Sequence, residues 1–361
     1  MKVILDTNII FNDFHLKGAK IKSLCESVKL TGDTVLIPKV VVDESINKYR
    51  EKIQECKSAI DKAMSNFKRL AGEVVGDNFM YEEFMLEESK QYADIFKKRL
   101  RELRINIIPY PSTSHQELVK RDLARKKPFQ ETGKGYRDAL IWESVKSLCE
   151  TSLSSSENPK IIFVNKNHKD FCLGKLLHPD LKDDLVDKDS VRIIEDIDIF
   201  MEEYVKPQQE RLKMIQDSLN EYKRYNKIDL NTEINKRITD FLLYREFDYK
   251  ESPFGQEFEH PYVVGVDEPS FIVTEVRKIS EEEILVEANI EVNCDFDFFI
   301  FKNEAICMKE DELPYIWDSD WNKHYMAASK TNPVKLWVIL IVNSSFEEIL
   351  SDDIEIIYDH Q

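Results

Sequence analysis

The chain has 361 residues, of which 42% are hydrophobic and 33% charged, so it is long enough for two packed domains and is not typical of intrinsic disorder. No apolar run approaches the roughly 18 residues that cross a bilayer, which argues against a membrane protein. The six cysteines form no CxxC pair, so a zinc knuckle or a disulfide framework is not indicated. We therefore expect a cytoplasmic protein with reduced cysteines.

The net charge of −17 at pH 7 is distributed unevenly along the chain. Residues 1–204 carry 34 Lys and Arg against 35 Asp and Glu, whereas residues 205–361 carry 17 against 33. A nearly neutral first half can still present a positive surface to phosphates, but the second half would repel them. If the protein binds nucleic acid, we expect its first half to do so.

Strand-like and helix-like segments alternate over about the first 200 residues. Strands are predicted for KVILDT (2–7), VLI before Pro38, INIIPY (105–110), KIIFVN (160–165) and VRIIED (191–196), and helices for VVVDESINKYREKI (40–53), the charged segment 50–105 and GYRDALIWESVKSLCE (135–150). This alternation predicts an α/β domain around a parallel sheet. Functional groups of such domains gather at the carboxyl ends of the strands.

The second half of the chain has a different pattern. Residues 205–248 are helical and polar, and strand-like runs follow at FIVTEVRKI (271–279), ILVEANIEV (284–292), DFDFFIF (295–301) and VKLWVILIV (334–342). We therefore predict an α/β domain at 1–204, a helical connector at 205–261 and a smaller, acidic β-rich domain at 262–361.

Two acidic residues in the first hundred stand at the end of a predicted strand and near the start of a predicted helix. Asp6 closes the first strand, where its carboxylate would project from the rim of the sheet, although an Asp at a strand end is also a common turn former. Glu44 follows an apolar run near the start of a helix, where interaction with the helix dipole is an alternative explanation.

Two further acids occur later in the same domain. Asp138 shares a helix face with Ile141, Val145 and Leu148, so its carboxylate should turn inward, although an acid in a first helical turn is ordinary. Asp170 follows the strand 160–164, although its surroundings are equally typical of a polar turn.

Taken in order, these acids resemble those of the PIN-domain nucleases. The matching segments are VILDTN (3–8), IPKVVVDES (37–45), GYRDALIW (135–142) and IIFVNKNHKDF (161–171). The resemblance covers about the first 185 residues and is closest to larger bacterial members with a tail domain. It implies a three-layer α/β fold with a central parallel sheet, and a metal-dependent endonuclease that cuts RNA.

The resemblance also implies roles for particular residues. The metal-binding catalytic carboxylates would be Asp6, Glu44, Asp138 and Asp170. Asp170 would be the peripheral fourth ligand, and the adjacent Asp43 leaves the choice of Glu44 open. Asn8 would orient Asp6, and Asn167 corresponds to the Asn that precedes the last acid in many members, where Thr commonly follows instead of His168.

The chemistry of these residues supports a hard divalent cation. Converging carboxylates repel one another unless a cation neutralises them, and an all-oxygen donor set favours Mg²⁺ or Mn²⁺ over zinc. The stretch 120–137 supplies seven Lys and Arg residues immediately before Asp138. Its candidate substrate contacts are Lys126, Lys127, Lys134 and Arg137, of which Lys134 and Arg137 are best placed to hold the scissile phosphate. The alternative is a solvated loop.

Two other classes of function compete with a ribonuclease. A non-catalytic PIN-like scaffold for RNA or protein would have no need of all four acids, and a flap-cutting DNA nuclease would carry a DNA-clamping module that we do not identify. Resemblance to bacterial members suggests a toxin or an antiviral defence effector. The sequence leaves open a homo-oligomer, and a protein partner or regulator bound by the acidic tail, where Trp317, Trp321 and Tyr325 occur in a loop-like stretch. Packing of that loop onto the tail's own core is the alternative.

Overall fold

The computed structural model describes residues 1–71, 81–151, 159–248, 253–254, 258–309 and 312–358. These residues form two compact units, Met1–Gln208 and Gln209–Gln361, each with its own buried hydrophobic core. No helix within these ranges is long and apolar enough to cross a membrane. None of the six cysteines forms a disulfide; Cys56 and Cys307 are exposed and the other four are buried.

The first unit alternates strands and helices. Its described elements are β1 (Lys2–Leu5), α1 (Thr7–Ile10), α2 (Ala19–Thr31), β2 (Thr34–Pro38), α3 (Lys39–Ala71), α4 (Tyr81–Glu102), β3 (Asn106–Ile108), α5 (His115–Leu123), α6 (Tyr136–Thr151), β4 (Ile161–Val164), α7 (His168–Phe171), β5 (Cys172–Leu173), β6 (Leu176–Leu177), α8 (Pro179–Lys182), β7 (Val191–Ile194), α9 (Ile197–Phe200) and a π-helical segment Met201–Val205. Five strands form a parallel sheet in the order β3-β2-β1-β4-β7. The predicted α/β domain with a central parallel sheet is confirmed.

The centre of this sheet is built from two short apolar strands. In β1 the side chains of Val3, Ile4 and Leu5 are fully buried, as is the whole of β4. Such continuous apolar runs are typical of strands covered on both faces. Ile4 pairs with Phe163, and the Asp6 N–H donates to the Val164 carbonyl over 3.1 Å. The residues that follow β1 and β4 therefore emerge together at one edge of the sheet.

Helix α6 packs one face against this core. Ile141, Trp142 and Val145 are buried, and the Trp142 indole N–H donates to Asp184 over 2.8 Å. Asp138 lies in the first turn, on the face that carries Ile141 and Val145. The prediction that this face turns inward is confirmed.

The second unit is rich in β-structure. Its first described element, α10 (Lys206–Tyr222), begins within the last residues of the first unit. The elements that follow are β8 (Arg224–Tyr225), β9 (Ile228–Asp229), α11 (Leu230–Leu242), β10 (Glu259–Val266), β11 (Ser270–Lys278), β12 (Glu283–Phe301), α12 (Lys302–Cys307), β13 (Tyr315–Asp318), β14 (Tyr325–Asn343) and β15 (Ile349–Ile356). Six of these strands form one antiparallel sheet around β12 and β14, which pair along their whole length. The predicted β-rich region after the α/β domain is confirmed.

Two strands predicted separately, at 284–292 and 295–301, form the single strand β12. The alternation of buried and exposed residues continues through the junction, where Asn293 is exposed and Cys294 is buried. Because the pairing with β14 is unbroken there, the chain does not turn. The prediction of two strands at this position is wrong.

The segment predicted as a connector contributes to the second core. Helices α10 and α11 bury Ile215, Leu219, Ile234 and Ile238 in the same cluster as one face of the sheet. Residues 249–252 and 255–257 of this segment lie outside the described residues. The division into parts at 1–204, 205–261 and 262–361 stays a prediction.

Candidate active site

Four elements carry the predicted carboxylates to one end of the parallel sheet. Asp6 directly follows β1, and Asp170 lies in α7, just after β4. Asp138 is in the first turn of α6, whereas Glu44 lies in α3 beyond its first turn. Since the effect of the helix dipole falls off within the first turn, it does not account for Glu44.

The charges of these four acids interact. Asp6 is 6% exposed, and its pKa is raised to about 7, first by burial and then by the negative charges of Asp138 and Glu44. Burial likewise raises the pKa of Asp138 to about 6, with contributions from the charges of Asp170 and Glu44. The structure therefore brings all four carboxylates into one electrostatic cluster, which we call the acid cluster.

Glu44 is held from two sides. The Thr7 hydroxyl donates to Glu44 Oε2 over 2.8 Å, and the Arg137 guanidinium donates to Glu44 Oε1 over 2.5 Å. Arg137, predicted as a phosphate contact, is 65% exposed and lies at the rim of the acid cluster. Because Arg137 precedes Asp138 and binds Glu44 of α3, the segments 37–45 and 135–142 lie next to each other in the structure.

Asp170 is 5% exposed and both of its oxygens accept hydrogen bonds. The Gln130 amide donates to Oδ1 over 2.7 Å, and the Asn167 amide donates to Oδ2. Asn167 was predicted to belong to the site, whereas Gln130 was not. Gln130 lies 40 positions away in the basic stretch, and no local sequence pattern signals its contact with Asp170.

A network of Asn side chains joins the ends of β1 and β4. The Asn8 amide donates to Asp6 Oδ2 and to Asn165 Oδ1, each over 2.7 Å, and the Asn167 backbone N–H donates to Asn165 Oδ1 over 2.6 Å. Asn165 is fully buried, and its Nδ2 has no hydrogen-bond partner in the described part of the chain. Sequence reasoning named Asn8 but missed Asn165, although Asn165 ends a buried strand as Asp6 does.

Comparison with known proteins identifies the first unit. The family model of the PIN domain matches residues 3–171, a range that contains the whole acid cluster.

The first unit is a PIN domain.

None of the curated proteins and none of the solved structures matches the chain. The resemblance inferred from the sequence is thereby confirmed over residues 3–171. PIN domains are generally metal-dependent nucleases.

The acid cluster of this PIN domain has the donor chemistry that a hard divalent cation requires. Its members offer only carboxylate oxygens, and their burial and mutual repulsion are what a cation would relieve. As the side chains stand, no group of three or more His, Cys, Asp or Glu among the described residues is arranged to hold a metal ion. Glu44 and Asp170 direct their oxygens to Arg137, Thr7, Gln130 and Asn167 in this arrangement.

The basic stretch of the PIN domain divides into structural and exposed cations. Arg121 is 11% exposed and pairs with Asp184 over 2.7 Å, and Lys127 Nζ donates to the Lys169 carbonyl over 3.1 Å. Lys126 and Lys134 are exposed and form no ion pair with any residue that the structure describes. The stretch is therefore not a uniformly solvated loop, and Lys126 and Lys134 are, with Lys120, its exposed cations without an ion pair in the described part of the chain.

A glycine fixes the junction between the basic stretch and α6. Gly135 has φ +115°, a conformation that favours glycine, and its carbonyl accepts from the Ala139 N–H over 2.8 Å. A Cβ at this position would lie 2.5 Å from the Pro128 carbonyl oxygen and 2.9 Å from Phe129 Cα. The close approach that Gly135 permits sets the start of α6, and hence the position of Asp138.

We expect Asn165→Ala to loosen the end of the sheet that carries the acid cluster. The substitution leaves the Asn167 N–H without its acceptor and removes one partner of Asn8, which should lower the free energy of opening of β1 and β4 by about 1–3 kcal/mol. Hydrogen exchange of peptides covering these strands measures that change.

Asn12→Ala is the matched control for this change. Asn12 is exposed and makes a single hydrogen bond, to the Asn8 carbonyl over 3.1 Å, so we expect an effect within about 0.5 kcal/mol. Equal protection of β1 and β4 in the two variants would show that the Asn network does not stabilise this edge.

Proposed function

We propose that this protein is a metal-dependent endonuclease that hydrolyses phosphodiester bonds in RNA. The observation that supports the proposal most is the burial and mutual repulsion of Asp6 and Asp138 in a PIN domain. A buried carboxylate beside a half-buried one, both with raised pKa values, is unfavourable for a purely structural role, because burying a charge without a partner is costly. A functional role explains why the chain keeps these two carboxylates close together, although their arrangement lowers the stability of the fold.

Mg²⁺ or Mn²⁺ is the proposed cofactor, and Asp6, Glu44, Asp138 and Asp170 are the proposed ligands. Bound there, the cation would neutralise the acid cluster and polarise the scissile phosphodiester. The chain's own groups set the orientation of the ligands: Asn8 holds Asp6, and Gln130 holds Asp170. Such outer partners commonly matter for metal affinity, because they fix the carboxylate that they contact.

Arg137, Lys126 and Lys134 are the proposed substrate contacts. The Arg137 guanidinium already donates to a carboxylate of the acid cluster, and it is exposed enough to donate to a phosphate oxygen in place of Glu44. Arginine suits this task because its planar fork matches the geometry of phosphate. Lys126 and Lys134 would add long-range attraction at the same edge of the PIN domain.

Cleavage of matched oligonucleotides tests the proposal. Single-stranded RNA and DNA of one sequence are incubated with the full chain in Mg²⁺, in Mn²⁺ and in EDTA. We expect internal cuts in RNA that depend on the metal and disappear in EDTA. Preferential cleavage of DNA would favour the flap-cutting alternative, and binding of RNA without cleavage under any condition would favour the scaffold.

A role as a toxin or an antiviral defence effector is the wider form of the proposal. Its support is the resemblance to larger bacterial PIN proteins with a tail domain. We also propose that the acidic second unit serves recognition or regulation and does not bind RNA, because its carboxylates repel phosphates. Induced expression of the wild-type chain should arrest growth if the protein is a toxin, and expression of the Asp138→Asn variant should not.

Replacing Lys126 and Lys134 with Ala should weaken RNA binding and reduce its dependence on salt. If each lysine neutralises one phosphate of a single strand, the slope of log K against log salt should fall by about 1.4. Lys182→Ala with Lys188→Ala is the control, since these exposed lysines are paired with Asp189 and Asp183. Equal slopes in the two double variants would show that Lys126 and Lys134 do not contact the RNA.

A further inference from the structure

The antiparallel sheet of the second unit has one face packed on helices and one face exposed. Along β12 the buried side chains, such as Ile290, Val292 and Phe296, belong to the core shared with α10 and α11. The alternate side chains of β12 point to the other side and, apart from buried Leu285, are exposed or half-buried. We call this side, formed by those β12 residues and by the residues paired with them in β10, β11 and β14, the open face.

An acidic stripe runs along the middle of the open face. It consists of Glu283, Glu287, Glu291, Asp295 and Asp297, all from β12, a strand that contains no Lys or Arg. Because β12 is bordered by β10, β11 and β14, the stripe lies inside the sheet and not at its edge. Two cationic residues lie beside the acidic stripe. Lys335 pairs with Glu291 across β12 and β14, and the Arg277 guanidinium lies 3.9 Å from the Glu287 carboxylate.

Aromatic side chains cover one end of the open face. Phe299 stacks on Trp321 with ring centroids 5.2 Å apart, and Phe301 contacts Tyr325 at 4.3 Å. Trp317 lies 6.1 Å from Trp321, and the two Trp residues remain 46% and 48% exposed. Large exposed apolar groups grouped in this way mark interaction surfaces more often than isolated ones do.

The structure also corrects the sequence view of this region. Trp317 lies in β13 and Tyr325 in β14, so neither belongs to the predicted loop, whereas Trp321 lies in the turn between these strands. The loop assignment fails because Trp317 and Tyr325 belong to paired strands, which local composition does not reveal. The aromatic groups are therefore presented on a sheet, where their spacing is fixed.

We propose that the open face binds an extended, arginine-rich protein segment, independently of any nuclease activity of the PIN domain. The acidic stripe complements the charge of such a segment and disfavours nucleic acid. The rings at its end offer π faces to guanidinium groups, which stack on aromatic side chains better than ammonium groups do. From Glu287 to Asp297 the stripe extends over ten residue steps, or roughly 34 Å, a length that a bound extended segment of about ten residues would match.

A fluorescence titration tests the proposal. Three of the four Trp residues, Trp317, Trp321 and Trp337, lie on or beside the open face, whereas Trp142 is buried in the PIN domain. The full chain is titrated with ten-residue peptides of alternating Arg and Ser, Lys and Ser, or Glu and Ser. We expect the Arg peptide to change the emission and to bind about threefold more tightly than the Lys peptide. The Glu peptide should not bind.

Matched charge variants locate the binding. Glu291→Gln, Asp295→Asn and Asp297→Asn together should weaken binding of the Arg peptide at least about tenfold. Glu210→Gln, Asp217→Asn and Glu221→Gln remove the same charge from exposed positions of α10, and this variant should bind within about twofold of the wild type. Circular dichroism and thermal melting check that both variants stay folded.

Several outcomes would overturn the proposal. Equal weakening in both triple variants would mean that the peptide responds to net charge and not to the open face. Binding of single-stranded RNA alone that the open-face variant abolishes would assign the face to nucleic acid. A concentration-dependent dimer in sedimentation that the open-face variant abolishes would assign it to a second copy of the chain. Equal affinity for the Arg and Lys peptides would show that the aromatic rings do not select guanidinium groups, and would contradict a preference for arginine.

Discussion

Asp138→Asn is expected to reduce metal-dependent cleavage by at least about 100-fold. Removing a group that only orients a metal ligand costs up to about 100-fold, and removing a ligand itself should cost at least as much. The chain should stay folded, because the substitution removes a negative charge that raises the pKa of buried Asp6. Its unfolding free energy should be unchanged or higher at neutral pH. Single-turnover cleavage in Mn²⁺ and a thermal melt measure the two effects.

Glu150→Gln is the control, since it makes the same change of charge at an exposed position of the same helix. Cleavage at the wild-type rate by the Asp138→Asn variant would contradict the proposed site. Asp6→Asn should match Asp138→Asn, whereas Asp170→Asn should lose less activity, as a peripheral ligand would. An equal loss of activity in the Asp6, Asp138 and Asp170 variants would make Asp170 a full member of the site.

Gly135→Ala is expected to displace the start of α6 and to reduce cleavage together with stability. Its Cβ would lie 2.5 Å from a backbone carbonyl oxygen, a contact that only movement of the main chain relieves. Because of this contact and the positive φ of Gly135, we expect the unfolding free energy to fall by about 2–4 kcal/mol. Calorimetry of the full chain measures the shift of the PIN-domain transition, and the cleavage assay measures the displacement of Asp138.

Gly133→Ala separates backbone strain from the close contact. Gly133 also has a positive φ, +77°, but no atom lies within 4 Å of its virtual Cβ. We expect about 1 kcal/mol of destabilisation, with cleavage nearly unchanged. If the two variants behaved alike, the approach of Gly135 to Pro128 would not be what positions α6.

The parts of the fold that could be predicted are those with a local signal. The apolar runs of β1 and β4 and the helical face of α6 have periodicities that show in a few residues. The order of strand-end and helix-start acids resembles that of the PIN-domain nucleases, and this resemblance then led to Asp6, Glu44, Asp138 and Asp170. Their interaction in space follows from the topology of a parallel sheet, which the same alternation of elements predicts.

The contacts that could not be predicted join distant positions. Asn8 and Asn165 are 157 positions apart in the sequence, and Gln130 donates to Asp170, which is 40 positions away. An amide side chain in a loop carries no periodic signal, so its partner is known only when the fold is known. For the same reason, α10 and α11 were recognised as helices but not as one layer of the second core.

The cysteines within each unit differ in chemical accessibility. Burial raises the pKa of Cys25 and Cys172 to about 11 and that of Cys294 to about 12, so their thiols are almost wholly protonated at neutral pH and react slowly with electrophiles. Cys56, in α3, and Cys307, in α12, are exposed and should react first. The native chain thus carries one addressable thiol in each unit, a pair of positions at which two dyes would report the distance between the nuclease-like and the acidic halves.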